Sequence, residues 1–252
     1  MTKSFLLSLS LCALLPVSAT WGVELNLQPA SSIQFDQAEL GQTIGQLNPP
    51  WEGSGATEIV VAEPAGTGHP GGKVIMVPGT KRLTGLSAEQ TLPEALTRPA
   101  KGTWLYFSAW LLKNGGGGSI TFHTNRALTG YMFTLAGFGI AEGRHGYITF
   151  LADSDGDGMP EMNNSSVLAK RNSWYEIVLA VDYNAQDPAA SLGYLYYREL
   201  PEKEYTVIPE FNGVKLSWWN PGFNATHFAF YRIDAARNNL QIDNLAVGTL
   251  KR

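Results

Sequence analysis

The stretch Trp174-Tyr-Glu-Ile-Val-Leu-Ala-Val-Asp-Tyr183 decides the fold. Tyr175, Ile177, Leu179, Val181 and Tyr183 alternate onto one side, while Glu176 and Asp182 fall on the other. A period of two is that of a β-strand with one buried face. Outward from it, Thr103 to Leu112 is apolar on both faces, with Leu105, Phe107, Ala109 and Leu111 on one and Trp104, Tyr106 and Trp110 on the other. Such a strand is buried twice or presents an aromatic shelf.

Short apolar runs broken by Gly, Pro, Asn and Asp continue along the chain, as expected of an all-β protein with frequent turns. The pattern predicts strands at Ser32 to Asp36, Thr57 to Glu63, Lys73 to Val77, Thr103 to Leu112, Ser119 to Thr124, Tyr131 to Ala136, Gly146 to Ala152, Trp174 to Tyr183, Leu192 to Glu199, Thr226 to Ile233 and Leu240 to Gly248. Ser87 to Thr97 is the one segment that reads as a short helix. Crossover helices for a parallel sheet are lacking, so the expected architecture is a two-sheet antiparallel β-sandwich, a jelly roll. Asn114 followed by Gly115 to Gly118 lies between strand-like segments and reads as a hairpin tip, not a linker.

The N-terminus has the form of a secretory signal: Lys3, an apolar run from Phe5 to Leu15, Pro16, and Val17-Ser18-Ala19 before the expected cut. That run is too short to span a bilayer. Its removal leaves residues 20–252 as one expected β-sandwich domain and takes away Cys12, the only cysteine, so no internal disulfide is expected. The formal charge of −4 over 252 residues, with no basic stripe interleaved with aromatics, argues against nucleic acid as a partner. No second long apolar segment follows, which predicts a secreted, periplasmic or extracellular protein without a transmembrane segment.

The run Asp153-Ser-Asp-Gly-Asp-Gly-Met-Pro-Glu161 spaces three aspartates to close oxygen ligands around calcium. Counted as an EF-hand, Asp153, Asp155 and Asp157 stand at positions one, three and five, Met159 offers its carbonyl at seven and Glu161 lies at nine. The twelfth position is Asn164, so the bidentate glutamate is missing. The run also resembles the aspartate-rich calcium repeats of thrombospondin. A structural calcium is the expected cofactor; an exposed Asp-Gly turn is the plainer alternative.

Sugar recognition needs flat apolar faces plus fixed polar groups. Candidates are Trp104, Tyr106 and Trp110 on one strand face, Tyr194 and Tyr196 on another, and Trp218-Trp219 ahead of a turn. The plainer reading puts these aromatics in a sandwich core.

Several segments together resemble the concanavalin A-like, or laminin-G-like, jelly roll of secreted bacterial proteins. They are FDQAELGQTIGQLNPPWE from Phe35, TWLYFSAWLLKN from Thr103, WYEIVLAVDYNAQ from Trp174 with LGYLYYREL from Leu192, and LQIDNLAVGTL from Leu240. The resemblance implies a curved two-sheet sandwich used for carbohydrate binding, adhesion or polysaccharide cleavage. It also offers Asp243, with Asp36, as holders of a structural calcium; alternation with Ile242 otherwise leaves Asp243 facing solvent.

Enzyme signatures are sparse. The Glu-x-Asp-x-Glu strand of glycosidases of this fold is absent, and Glu202-Lys203-Glu204 after Pro201 reads as a solvated turn. Alginate lyases of the fold carry Gln-Ile-His, whereas this chain has Gln241-Ile242-Asp243, without the histidine base. His69, His123, His145 and His227 form no two-ligand motif and are expected as surface or strand residues. No catalytic residue is therefore assigned. The leading expectation is a secreted polysaccharide-binding or adhesion protein; a polysaccharide hydrolase or lyase assembled from distant strands, and a structural envelope protein, are the alternatives.

Overall fold

The computed structural model describes residues 22–77, 82–97, 99–100, 102–114, 117–123, 134–141, 146–152, 161–184, 186–187, 190–216, 227–234 and 240–251. Fourteen strands are described. They run β1 (Asn26–Ile33), β2 (Val60–Ala62), β3 (Val74–Val77), β4 (Arg82–Thr91), β5 (Trp104–Lys113), β6 (Gly117–His123) and β7 (Thr134–Ile140). After them come β8 (Gly146–Ala152), β9 (Glu161–Ala169), β10 (Ser173–Asp182), β11 (Leu192–Glu199), β12 (Thr206–Lys215), β13 (His227–Asp234) and β14 (Leu240–Lys251). They form two antiparallel sheets, one of eight strands in the order β12-β11-β10-β5-β14-β3-β2 with β1 also on β14, the other in the order β4-β13-β6-β7-β8-β9. The chain is a β-sandwich.

The core lies between the sheets. Strand β10 contributes Tyr175, Ile177, Leu179 and Val181, β5 contributes Leu105, Phe107, Ala109 and Leu111, and Phe138, Ile148 and Phe150 meet them from the six-stranded sheet. Ile177, Leu179 and Val181 are fully buried, so the alternation read from the sequence is the inner face of the larger sheet.

The expected helix at Ser87 to Thr97 is corrected: residues up to Thr91 belong to β4, paired with β13, and only α1 (Glu94–Thr97) is helical. Backbone pairing with β13 overrides the helix-forming residues Ala88, Glu89 and Gln90. Two further strands, β9 and β12, lie where no strand was expected, and the strand expected at Ser32 to Asp36 is corrected to β1, which ends at Ile33.

Strand β14 organises the larger sheet. Leu240 to Ile242 pair with β3, and Leu245 to Lys251 pair with β1, while β5 lies along the other side. Between the two halves the register with β5 shifts, and Asn244 takes a left-handed φ of 46°. A bulge of this kind re-aims side chains. It keeps Ile242 and Leu245 in the core while Asp243 points to the opposite face.

Candidate functional site

The outer face of the eight-stranded sheet, turned away from the core, is not a plain solvent face. Register places Arg198 of β11 beside Glu176 of β10, Glu176 beside Trp110 of β5, and Trp110 beside Asp243 of β14. A row of charged and aromatic side chains thus crosses four neighbouring strands.

Glu176 is buried, 4% exposed, although the alternation of its strand turns it away from the core. Its Oε2 accepts from Arg198 Nε at 2.7 Å and Nη2 at 2.5 Å. A buried carboxylate without this partner would carry a heavy desolvation cost. The guanidinium lies 4.7 Å from the centre of the Tyr205 ring and also donates through Nη1 to the Lys203 carbonyl at 3.2 Å. The Tyr205 hydroxyl donates to Glu176. Burial, then the Glu176 charge, pushes the Tyr205 phenol far above its ordinary value, and the same causes push Tyr106 up to about 12.

Around this cluster opens a groove of about 940 Å³, walled by Glu24 to Leu27, Glu176, Arg198, Lys203, Tyr205 and Lys251. Its N-terminal wall is held by paired main-chain hydrogen bonds between Val23 and Tyr205, at 2.7 and 3.0 Å. Arg198, Lys203 and Lys251 face one groove, set against the carboxylates of Glu24 and Glu176. Three cations against two carboxylates leave the groove lining an excess of one positive charge beside the Tyr205 hydroxyl.

The structure brings five of the aromatics expected to bind sugar onto this outer face. Tyr106 and Tyr194 both flank Ala180, and Trp104 stacks on Tyr194 at 5.1 Å. Tyr106 and Tyr196 are buried in a small apolar cluster with Val178, Tyr205 and Leu250, covered by Leu25 and Leu27. They offer no open ring face. Trp104, Trp110 and Tyr194 remain partly exposed. Trp218 and Trp219 lie outside the described residues, as do Asp153, Asp155, Asp157 and Met159 of the calcium run; Glu161 opens β9 opposite Ala152.

The other end of the row is closed by residues 63–72. Gln241 accepts from the Ala65 amide at 2.7 Å and donates to the Glu63 carbonyl at 2.9 Å, and Trp174 Nε1 donates to the Ala65 carbonyl at 2.6 Å. The approach is so close that a Cβ on Gly66, φ 76°, would stand 2.6 Å from the Asn172 carbonyl oxygen. Gln241-Ile242-Asp243 is thus a clamp for this loop.

Two expectations are corrected at this end. Asp243 does not face solvent: it is 7% exposed and its Oδ2 is 3.0 Å from His69 Nε2. His69, expected at the surface or in a strand, has a side chain only 4% exposed, set against Trp174 and Trp110. Burial, the leading cause, raises the Asp243 carboxyl despite the His69 hydrogen bond. Asp36 does come near Asp243, but its Oδ1 accepts from the Lys73 amide, and the Lys73 ammonium donates to the Asp36 and Ala38 carbonyls. An ammonium on those carbonyls does not suit a calcium cage of six to eight oxygens. Among the described residues no group of three or more His, Cys, Asp or Glu could hold a metal.

No protein-family model matches the chain, and no curated protein matches it in sequence. Solved structures do match in shape. The PL-14 alginate lyase of Aplysia kurodai superposes with a TM-score of 0.54 at 8% identity, over 88% of this chain and 100% of that one. A GH43 glycoside hydrolase engineered to display both endo-xylanase and exo-arabinofuranosidase activity gives 0.51 at 12% identity, over 93% of this chain but only 43% of its own length. The likeness is one of fold. The sandwich is a jelly roll shared with polysaccharide-active proteins, and none of the described helices is long and apolar enough to cross a membrane.

Sequence reasoning missed Arg198, Glu176, Tyr205 and the His69–Asp243 pair as site residues. Glu176 carried the one available signal, a carboxylate set in the middle of a largely apolar central strand, well before Asp182 at its end.

Proposed function

We propose that this protein is an exported polysaccharide-active protein that takes an acidic glycan into the Glu176–Arg198–Tyr205 groove and cleaves it by β-elimination. The observation that carries the reading is the groove itself, lined by Arg198, Lys203 and Lys251 together with a tyrosine hydroxyl bonded to a buried carboxylate. The cations neutralise the carboxylate of a uronate and so acidify its C5 proton. Glu176 takes that proton, the C5–H electrons form the C4–C5 double bond, the C4–O4 bond breaks, and O4 takes the Tyr205 proton. The hydrogen bond from Tyr205 to Glu176 then returns the proton and resets the pair. The shared fold with an alginate lyase supports cleavage ahead of binding or adhesion alone.

Binding without cleavage is the second reading, favoured by Arg198 tying Glu176 and by the raised Tyr205 phenol, since both oppose proton transfer. Incubation with a panel of polyuronates separates the two. The expected result is accumulation of unsaturated ends, lost in Tyr205→Phe with polymer binding kept; retention of polymer with no unsaturated ends from the wild-type protein would leave binding as the function.

Calcium at Asp153 to Glu161 belongs to the same proposal as a structural support.

A further inference from the structure

The pair on which the proposed chemistry depends is nearly sealed. Glu176 is 4% and Tyr205 5% exposed, although the groove they line holds about 940 Å³. The cover over Tyr205 is local and comes from residues 22–27. Val23 bridges to Tyr205 just ahead of β12, at one margin of the larger sheet, and Asn26 pairs with Lys251 of β14, beyond β11, β10 and β5. The segment between them crosses the outer face as a strap, with Leu25 and Leu27 packed on the cluster of Tyr106, Val178, Tyr196 and Tyr205.

The strap is lightly tied. Among the described residues, the two main-chain bonds between Val23 and Tyr205, at 2.7 and 3.0 Å, are the ones that join residues 22–25 to the body of the sandwich. The Leu25 carbonyl turns back to the Leu27 amide at 3.2 Å. Val23 is 36% exposed, Glu24 is exposed and Leu25 is half-buried. A segment with so few buried contacts opens ahead of the sheet beneath it, and from Asn26 onward the pairing of β1 with β14 can stay intact. Charge favours the opening when the ligand is acidic. Glu24 is part of the groove lining, so a polyanion and the closed strap compete for the same cations.

We propose that residues 22–25 are a gate on the groove, hinged at Asn26, held shut by the Val23–Tyr205 bridge and displaced by acidic polymer. The inference rests on the acidic-glycan reading of the groove and adds how the polymer reaches Glu176 and Tyr205. Release of Val23 frees the main chain of Tyr205 and draws Leu25 off its ring in one movement.

A disulfide across the closed strap tests the gate. A Cβ on Gly22 would lie 2.8 Å from the Glu204 Cβ, against about 3.5–4.5 Å in a disulfide, so Gly22→Cys with Glu204→Cys can lock the strap after a slight retreat. Cys12→Ser removes the only other cysteine, and neither Gly22 nor Glu204 lines the groove. Gels containing alginate or polygalacturonate should retain the oxidised protein at least about tenfold less than the same protein after reduction, because locking removes the competent form. Equal retention in both states overturns the gate and leaves the groove. Hydrogen exchange supplies an arm without the staple, in Tyr205→Phe, which keeps the main-chain bonds and spares the polymer. The amides of residues 23 and 205 should exchange ahead of Ile177 in the free protein, and faster still with polymer bound. Exchange in step with Ile177, or slowed by bound polymer, overturns the gate. If neither the wild-type protein nor either redox state retains a polyuronate, the acidic-glycan reading falls, and exchange in the free protein alone decides whether the strap opens.

Discussion

The two faces of the eight-stranded sheet are made by the same strands and obey different rules. On β10 the inner side chains Tyr175, Ile177, Leu179 and Val181 pack into the apolar core of the sandwich, with only the Tyr175 hydroxyl seen to take a hydrogen bond, from the Lys170 amide. One residue out of step, Trp174, Glu176, Val178 and Ala180 face outward, where the small clusters around Tyr106 and Trp174 flank a line of charges. The inner face answers one demand, close packing. The outer face buries ionisable groups that packing alone would exclude, and such groups are costly unless paired, as Glu176 is with Arg198; clusters of this kind gather at functional sites. Burial on both sides is therefore not evidence of a purely structural sheet.

The largest expected effect lies on the inner face. Leu179→Ala, at a fully buried position, should cost about 2–5 kcal/mol in denaturant unfolding while leaving polymer affinity per folded molecule unchanged. Glu176→Gln should instead strike both stability and function. A stability loss of about 1–3 kcal/mol, from leaving Arg198 without its carboxylate, should accompany loss of function. Equal losses of affinity in both variants would erase the distinction between the faces.

Calcium should come next. If the Asp153 to Glu161 run holds the ion, saturating calcium at a hundred times its dissociation constant should add about 2.7 kcal/mol, read as a higher melting temperature than in chelator. The double substitution Asp155→Asn with Asp157→Asn should abolish the difference. Identical melting curves for the wild-type protein would end the calcium proposal.

Ionisation gives smaller, directional effects. The phenols of Tyr106, Tyr175, Tyr183, Tyr197 and Tyr205 are all raised, chiefly by burial. The unfolded chain loses those protons first, so stability is whole below the ordinary phenol pKa and falls as pH rises above it. Phenolate absorbance should show Tyr106 resisting titration to about pH 12. Asp243 behaves as a raised carboxyl: its contribution to stability is greatest below the ordinary carboxylate pKa and declines as pH rises towards its folded value. Asp243→Asn should flatten that decline in melting temperature between acidic and neutral pH.

What could be read from the sequence follows the same division. Inner-face positions repeat every second residue, so Trp174 to Tyr183 announces its strand. The segments misread or missed, β4, β9 and β12, are all sheet edges. Edge strands tolerate polar residues and proline, as in Glu161–Ala169 with its exposed Asn163 and Asn164, and in β12 with Pro209. The pattern that marks a buried strand is thus absent there for a physical reason. The site was less legible still. Asp243 and His69 lie 174 residues apart in sequence, and Arg198 reaches Glu176 only because β10 and β11 pair in that register. Tyr106 and Tyr196 looked like sugar platforms because composition cannot tell a ring covered by Leu25 and Leu27 from an open one.

The central claim, that the groove on the outer face receives an acidic glycan, is tested most directly by electrophoresis through gels containing polyuronate or neutral polysaccharide. Wild-type protein should be retarded by acidic polymer, with retardation weakened by salt and lost in Lys203→Ala with Lys251→Ala while the melting temperature holds. Unchanged mobility of the wild-type protein in every acidic gel, or equal retardation of the double variant, would contradict it.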